Sequence, residues 1–434
     1  MSLSKALSLG AARIRGLLKV SPDEWRPLVW SWAYIFAILA SYYVLRPVRD
    51  QVGAAGGLDN LPWLFSATLV AMLALNIPFA WAVKTLPRAR FVPLTYRFFT
   101  LNILMFAAAF YFADEATSVW VGRVFYVWLS VFNLFVVSIF WTTIVDVFTN
   151  AQGKRLFGLI AAGATLGAIS GSAVTALLAQ KVPTSALLIL AGILLELALL
   201  AMRQLVLTTP SLSHAPQAKD SSKVIGGSVW AGVTHLLSSP YLINIGIFMI
   251  LFSVTSTFLY FEQINIAAKY FPDRGAQTAF FASVDLAVNV LTLCGQLFLT
   301  SRILNKIGVG PSLALLPAAS VIGFLALALS PTIGMIMVMY TLRRAGNFAI
   351  SRPIREILFT VIPREDRYKA KNVIDTTLYR LGDQVGAWTY AGVSSLGGVS
   401  PMLIAVPLSV AWLINSLWLG RRQDKLVVIN QPVA

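Results

Sequence analysis

The chain has few of the residues on which disulfide-bonded folds and metal centres depend. It contains one cysteine, Cys294, and two histidines, His214 and His235, which both fall in the central connecting segment. One cysteine excludes a disulfide framework, and the two histidines come with no cluster of other metal ligands. The chain also lacks the Gly-x-x-x-x-Gly-Lys-[Ser/Thr] loop that holds nucleotide phosphates in ATP-driven pumps. We therefore predict no metal site, no cofactor and no enzymatic activity.

Charge is scarce as well, whereas long apolar stretches take up most of the chain. Charged residues make up 12% of the sequence and hydrophobic residues 57%, with a mean hydropathy of +0.75. This composition excludes a soluble globular protein and predicts an all-α polytopic membrane protein. None of the stretches alternates in the way barrel strands do. Twelve are long enough to span a bilayer: 27–50, 61–83, 91–113, 118–147, 156–180, 184–206, 241–268, 276–301, 311–330, 332–361, 370–397 and 400–420.

Acidic residues are few, 18 against 34 lysines and arginines, and the basic residues are unevenly distributed. If the N-terminus is cytoplasmic, 22 basic residues fall on the inner side of the spans and four on the outer side. This asymmetry follows the positive-inside rule and predicts that both termini are cytoplasmic, with the bacterial inner membrane as the location. The net charge of +16 thus reflects orientation in a lipid bilayer, and no nucleic-acid partner is predicted.

The two halves of the chain resemble each other at an offset of 215 residues. Gly167 and Gly171 in the fifth span recur as Gly382 and Gly386 in the eleventh. Six spans followed by six in the same orientation is the plan of major-facilitator transporters, whose substrate site lies between the halves near the midplane. We therefore divide a monomeric chain into an amphipathic cytoplasmic segment (1–26), a six-helix bundle (27–206), a cytoplasmic linker with an interfacial helix (207–240), a second bundle (241–421) and a cytoplasmic tail (422–434).

Two features of this plan have alternative interpretations. Residues 1–26 are basic with apolar residues on one face, which favours an interfacial helix; a cleaved presequence is the alternative, although no apolar core precedes a cleavage site. Gly163, Gly167 and Gly171 follow each other at four-residue spacing, which lets another helix approach closely. That contact is either static packing or a surface on which the halves slide during transport.

Eight arginines lie inside the apolar stretches. A charge at mid-membrane costs roughly 2.5–3.5 kcal/mol on insertion scales, so such residues usually face a cavity or a partner. Because fewer acids lie beside them, we predict a pathway for a negatively charged solute; each arginine either contacts that solute or is neutralised by an acid or by carbonyl groups. The eight are Arg46, Arg97, Arg123, Arg343, Arg344, Arg352, Arg355 and Arg380.

The depth of an arginine within its predicted span indicates which arginines of the second half are candidates for substrate contact. Arg343, Arg344 and Arg380 each lie about ten to twelve residues into a span, near the bilayer centre. Because adjacent residues of a helix point about 100° apart, we expect only one of Arg343 and Arg344 at the cavity. We predict substrate contacts at Arg344 and Arg380, and Asp285 and Asp383 as pairing or coupling carboxylates.

The end of the first span carries a denser cluster. Arg46 and Arg49 are three residues apart on one helical face, and Asp50 follows Arg46 at i+4. We expect Asp50 to hold one arginine and to leave the other free for the substrate. Asp285, Asn289 and Gln296 form a polar stripe on the eighth span, which either holds a proton or polar ligand or joins helices by hydrogen bonds.

Several short motifs resemble one family. Leu-Arg-Pro-Val-Arg-Asp at 45–50 looks like the first-helix signature of the ATP/ADP antiporters of plastids and intracellular bacteria. Similar motifs continue through both halves, and Glu262 falls where that family has a functional glutamate late in its seventh helix. The further motifs are Phe140-Trp141 followed by Lys154-Arg155, and Arg355-Glu356 followed by Arg380-Leu381-Gly382.

The resemblance implies a nucleotide antiporter with a major-facilitator-like fold, in which Arg49 contacts substrate and Glu262 couples or gates at the cavity mouth. Two charged positions of the family differ: Leu129 stands where the family has glutamate, and Asp383 where it has lysine. We therefore predict a secondary active transporter of an organic or phosphorylated anion, possibly nucleotide-like, but no exchange of ATP for ADP. The alternatives are a non-transporting sensor or scaffold on a transporter fold and a proton-coupled exporter.

Overall fold

The computed structural model describes residues 20–85, 88–209, 236–237, 239–362, 370–371 and 373–429, and these residues are helical almost throughout. Most of the predicted N-terminal segment and of the central linker lies outside the described residues. The helices are α1 Pro22–Ala55, α2 Leu61–Thr85, α3 Arg88–Phe112, α4 Glu115–Val147, α5 Asn150–Leu178, α6 Thr184–Leu207, α7 Pro240–Tyr270, α8 Arg274–Phe298, α9 Thr300–Ile307, α10 Val309–Leu329, α11 Ile333–Gly346, α12 Arg352–Leu358, α13 Tyr379–Leu396 and α14 Pro401–Ile429.

Ten helices in the described part of the chain are long and apolar enough to cross a membrane. The remaining two predicted spans contain π-helical turns, which admit one extra residue into a helix. Asn347–Ser351 joins α11 to α12, and Val373–Leu378 leads into α13. The predicted all-α class is confirmed, while the count of twelve spans stays a prediction.

Helices α1–α6 and helices α7–α14 each enclose a core of their own. Tyr34 and Phe132 are fully buried among α1–α6, and Phe248 and Trp412 among the helices of the second half. A third apolar cluster joins the halves: Tyr126 and residues near the start of α2 pack against α7, α8 and α13. This junction lies at the helix ends that the charge pattern predicts to be outer.

The glycine stripe of α5 packs against the backbone of α1. A Cβ atom at Gly167 would overlap the carbonyl oxygen of Phe36, and one at Gly171 would overlap that of Ala40. Only a residue without a side chain allows two helix backbones to come this close. Both helices belong to the first half, so this contact is packing within one bundle and not a surface between the halves.

The second half repeats this contact. A Cβ atom at Gly382 of α13 would lie 2.6 Å from the Ser253 Cβ of α7, and one at Gly386 would lie 3.0 Å from the Val254 carbonyl oxygen. The 215-residue repeat in the sequence therefore corresponds to one helix pair that recurs, α5 on α1 and α13 on α7.

We expect Gly167→Ala to lower the melting temperature of the purified protein, because the new methyl group must push α1 away; overpacking of this kind costs about 1–3 kcal/mol. Gly158→Ala on the same helix is the matched control. A Cβ atom there meets nothing within 4 Å, and alanine favours the helix by up to about 1 kcal/mol over glycine. Equal melting temperatures for the two variants would contradict this account of the α1–α5 contact.

Candidate functional site

A cavity of about 280 Å³ lies where the two halves meet. The first half contributes α1, α2 and α4 to its lining, and the second contributes α7, α11, α13 and the π-helical turn after α11. Its lining residues fall near the middle or toward the predicted outer end of each predicted span. Within the described part of the chain, the charged residues of the lining are five arginines and one aspartate: Arg46, Arg49, Arg343, Arg344, Arg380 and Asp383.

One carboxylate joins two of these arginines across the halves. Arg46 Nη1 of α1 donates to Asp285 Oδ1 of α8 at 2.5 Å, and Arg344 Nη1 of α11 donates to the same oxygen at 2.7 Å. The Asp285 side chain is 3% exposed, and its Oδ2 atom has no hydrogen-bond partner within the described residues. Two positive charges thus share one negative charge, and one acceptor atom of the carboxylate remains unused.

A second link between the halves starts from Asp50. Arg49 Nη2 donates to Asp50 Oδ1 at 2.7 Å, and the hydroxyl of Tyr260 on α7 donates to the same atom at 2.9 Å. The Arg49 guanidinium also lies over the ring of Tyr126, with its Cζ 5.1 Å from the centroid. The expectation that Asp50 would leave one arginine of α1 free is wrong, because α8 supplies Arg46 with a carboxylate of its own.

Arg343 also lines the cavity, so the expectation that only one of Arg343 and Arg344 would do so is wrong. The backbone directions diverge as expected, but both long side chains reach the lining, Arg344 on the side of α8 and Arg343 on the side of α7. Arg343 forms no ion pair with any described carboxylate. Hydroxyl groups surround it instead: Ser320 Oγ at 3.0 Å, Ser256 Oγ at 3.0 Å and Thr255 Oγ1 at 2.5 Å.

Arg380 and Asp383 are close to each other on α13, as their spacing predicts. Arg380 Nη1 lies 3.5 Å from Asp383 Oδ2. The other oxygen of Asp383 accepts hydrogen bonds from Ser253 Oγ at 2.6 Å and Thr257 Oγ1 at 3.4 Å on α7. Asp383 is thus a buried, hydrogen-bonded negative charge in a mostly positive lining.

Glu262 does not belong to this lining. Its Oε2 atom accepts a hydrogen bond of 2.7 Å from the Tyr390 hydroxyl, a contact between α7 and α13 within the second half. It lies nearer the predicted outer end of α7 than the cavity does. The structure therefore places Glu262 outside this lining, hydrogen-bonded within the second bundle, and its coupling or gating role stays a prediction.

Sequence reasoning left Arg343 out of the predicted substrate contacts and missed several uncharged lining residues. Tyr260, Tyr340 and Phe348 resemble core aromatics in the sequence, and no pattern marks them as functional. The π-helical turns are a further feature of the site: Asn347 and Phe348 line the cavity, and the turn before α13 ends next to Tyr379. Such turns occur frequently at functional sites.

Of the two family positions that differ in this chain, only one faces the cavity. Leu129 is fully buried in the core of the first half, while Tyr126 and Ser130 of the same helix line the cavity. Asp383 stands in the lining itself. The reversed charge at Asp383 therefore alters the cavity directly, and the change at Leu129 affects the packed core.

Sequence comparison supports the resemblance predicted from the motifs. No family model matches the chain. The ADP,ATP carrier protein 1 of Chlamydia muridarum is 22% identical over 355 residues, which cover 70% of this chain and 67% of the carrier. The similarity to nucleotide carriers thus extends beyond short motifs and covers most of both chains.

Solved structures of transporters share the fold. A bacterial homologue of the human lysosomal transporter Spinster aligns with a TM-score of 0.57 at 14% identity, covering 94% of this chain and 95% of its own. The nucleoside transporter NupG aligns at 0.56 with 15% identity, covering 94% and 99%. A POT family transporter in complex with 5-aminolevulinic acid aligns at 0.59 with 12% identity, covering 92% and 96%.

The fold is major-facilitator-like, as in these transporter structures. This confirms the predicted fold class, and the chain is an integral membrane protein. The similarity to a carrier and the fold shared with transporters support secondary transport, the function predicted from the sequence.

We expect Asp285→Asn to destabilise the protein, because Arg46 and Arg344 would then face each other without the carboxylate that separates them. Removing one partner of a buried ion pair typically costs about 3–5 kcal/mol. Asp59→Asn, an exposed carboxyl in the turn after α1, is the matched control. Thermal unfolding in detergent should show a clearly lower melting temperature for Asp285→Asn and an unchanged one for Asp59→Asn. An unchanged melting temperature for Asp285→Asn would mean that the shared carboxylate is not a structural link.

Proposed function

We propose that this chain is a secondary active transporter, and not an enzyme, that exchanges an organic or phosphorylated anion across the bacterial inner membrane. It works as a monomer by alternating access, with both termini in the cytoplasm. One observation supports this proposal above the others: five arginines converge on one cavity between the two halves. Among the described residues, three carboxylates, Asp50, Asp285 and Asp383, pair with them, which leaves an excess of two positive charges.

We further propose that Asp285 occupies the place of the substrate when the cavity is empty. A carboxylate or phosphate offers the same acceptor atoms, and arginines bind such groups through paired, charge-assisted hydrogen bonds. An anion that takes over Arg46 and Arg344 releases Asp285 and loosens a link between the halves. Substrate binding then favours one arrangement of the halves over the other, as alternating access requires.

The size and charge of the cavity limit the substrate. A volume of about 280 Å³ suits a small solute. A nucleoside triphosphate carries about four negative charges, and each would need compensation for its lost hydration. The five arginines keep an excess of two positive charges over their three carboxylates, and one of these carboxylates, Asp383, stands in the lining itself, where it repels an anion. We propose a monophosphate or a small carboxylate, with Tyr340 and Phe348 available to a flat part of the molecule.

A thermal-shift screen followed by counterflow tests this function. Purified protein is heated with nucleotides, sugar phosphates and carboxylates, because a ligand that binds only the folded state raises its stability. Ligands that stabilise the protein are then loaded into proteoliposomes, and we expect labelled external ligand to accumulate against the internal pool. Saturable exchange of ATP for ADP with micromolar half-saturation would contradict the substrate class, and binding without accumulation would indicate a sensor.

We expect Arg344→Gln to weaken binding of the anion found in that screen by about ten-fold to a hundred-fold. A hydrogen bond to a charged group contributes about 1.5–3 kcal/mol. The matched control is Arg97→Gln, which removes the same charge from an exposed position on α3 outside the cavity. The concentration dependence of the thermal shift measures the affinity of each variant for the anion. Equal losses of affinity in Arg344→Gln and Arg97→Gln would contradict a local contact at Arg344.

A further inference from the structure

A second cavity, of about 430 Å³, lies at the other end of the second half, remote from the arginine cavity. It is bounded by the start of α7, the turn after α12 and the end of α14. All three lie on the side of the membrane that the charge pattern predicts to be cytoplasmic. The cavity therefore opens at the level of the inner lipid headgroups, away from the proposed path of the transported solute.

The end of α14 gives this cavity a positive lining. Arg421, Arg422 and Lys425 all face it, and none of them forms an ion pair with a carboxylate in the described part of the chain. In the sequence, Asp424 is the one acidic residue between Arg421 and Lys425. Among the described residues, three cations against one carboxylate leave a net positive charge beside the cavity.

The start of α7 adds to the positive potential. Ser239 is the N-cap residue, and its side chain makes no capping hydrogen bond. The first N–H groups of a helix have no partner inside the helix, and they carry the positive end of its dipole. Both Ser239 and Pro240 line the cavity. The dipole of α7 and the basic side chains of α14 thus both make the potential in this cavity positive.

An apolar surface continues from the cavity along α14. Trp418 lines the cavity and is 40% exposed, and Ile414, one turn further into the predicted span, is 63% exposed. Tryptophan is enriched where headgroups meet acyl chains. A ligand that fills the cavity and also covers this surface carries a negative charge at one end and a long apolar chain at the other.

We propose that this cavity binds the phosphate group of an anionic phospholipid from the cytoplasmic leaflet. Arg421, Arg422 and Lys425 contact the phosphate oxygens, the start of α7 supports them, and one acyl chain lies along Trp418 and Ile414. Basic pockets between membrane helices on the cytoplasmic side suit such headgroups. A soluble phosphate shares the headgroup chemistry, but it would leave the apolar surface uncovered.

Native mass spectrometry of the purified full chain tests this site with phosphatidylglycerol, and with phosphatidylcholine of the same acyl chains for comparison. Arg421→Gln with Arg422→Gln removes two cations of the site. Arg302→Gln with Lys306→Gln is the matched control, since it removes two exposed cations from α9 on the same predicted side of the membrane. We expect at least a five-fold loss of retained phosphatidylglycerol in the first variant and none in the control.

Thermal unfolding supplies the second measurement. Phosphatidylglycerol should raise the melting temperature of the parent and the control more than phosphatidylcholine does. In the α14 variant, Arg421→Gln with Arg422→Gln, the two lipids should raise the melting temperature equally. Equal retention of phosphatidylglycerol in the two double variants would overturn the proposal. Stabilisation of the parent by inorganic phosphate, abolished in the α14 variant, would overturn the assignment to a lipid and indicate a soluble ligand.

Discussion

The arrangement of the two halves depends on the cost of keeping a guanidinium group away from water. The five arginines of the central cavity have partners of two kinds. Arg46 and Arg344 share Asp285, Arg49 has Asp50 and Arg380 has Asp383, whereas Arg343 is surrounded by hydroxyl groups. Two of these arrangements, those of Asp285 and Asp50, use atoms from both halves. The contact between the bundles is therefore partly electrostatic, and its strength depends on what else binds to the arginines.

Much of this architecture could be predicted from the sequence, because apolar length and charge asymmetry are local properties. The all-α class, the pairing of equivalent glycines and the importance of the deep arginines all follow from such patterns. The partners could not be predicted in the same way. Spacing assigned Asp50 to an arginine of its own helix, but Arg46 pairs with Asp285, which is 239 residues away. Only the packing of α1 on α8 brings these two residues together.

Residues that repeat between the two halves and residues that do not repeat have different roles in this fold. The repeated glycine contacts, of which Gly167 and Gly382 are examples, hold each bundle together and resemble each other closely. The charged residues do not repeat: Arg46 and Arg49 have no arginine counterparts on α7, which instead offers Thr255, Ser256 and Tyr260. The two similar bundles thus contribute different side chains to the cavity between them. A solute in that cavity meets arginines from both bundles, but hydroxyl groups mainly from the second.

The π-helical turn at Asn347–Ser351 determines which arginines share a face. In a regular α-helix, Arg344 and Arg355 would point within about 20° of each other, since eleven residues make just over three full turns. The extra residue of the turn changes that angle by about 100°. As a result, Arg344 points to Asp285, whereas Arg355 points to Met249 of α7, on the side to which Arg343 also points. One inserted residue thus separates a cation of the cavity from a cation of the second bundle.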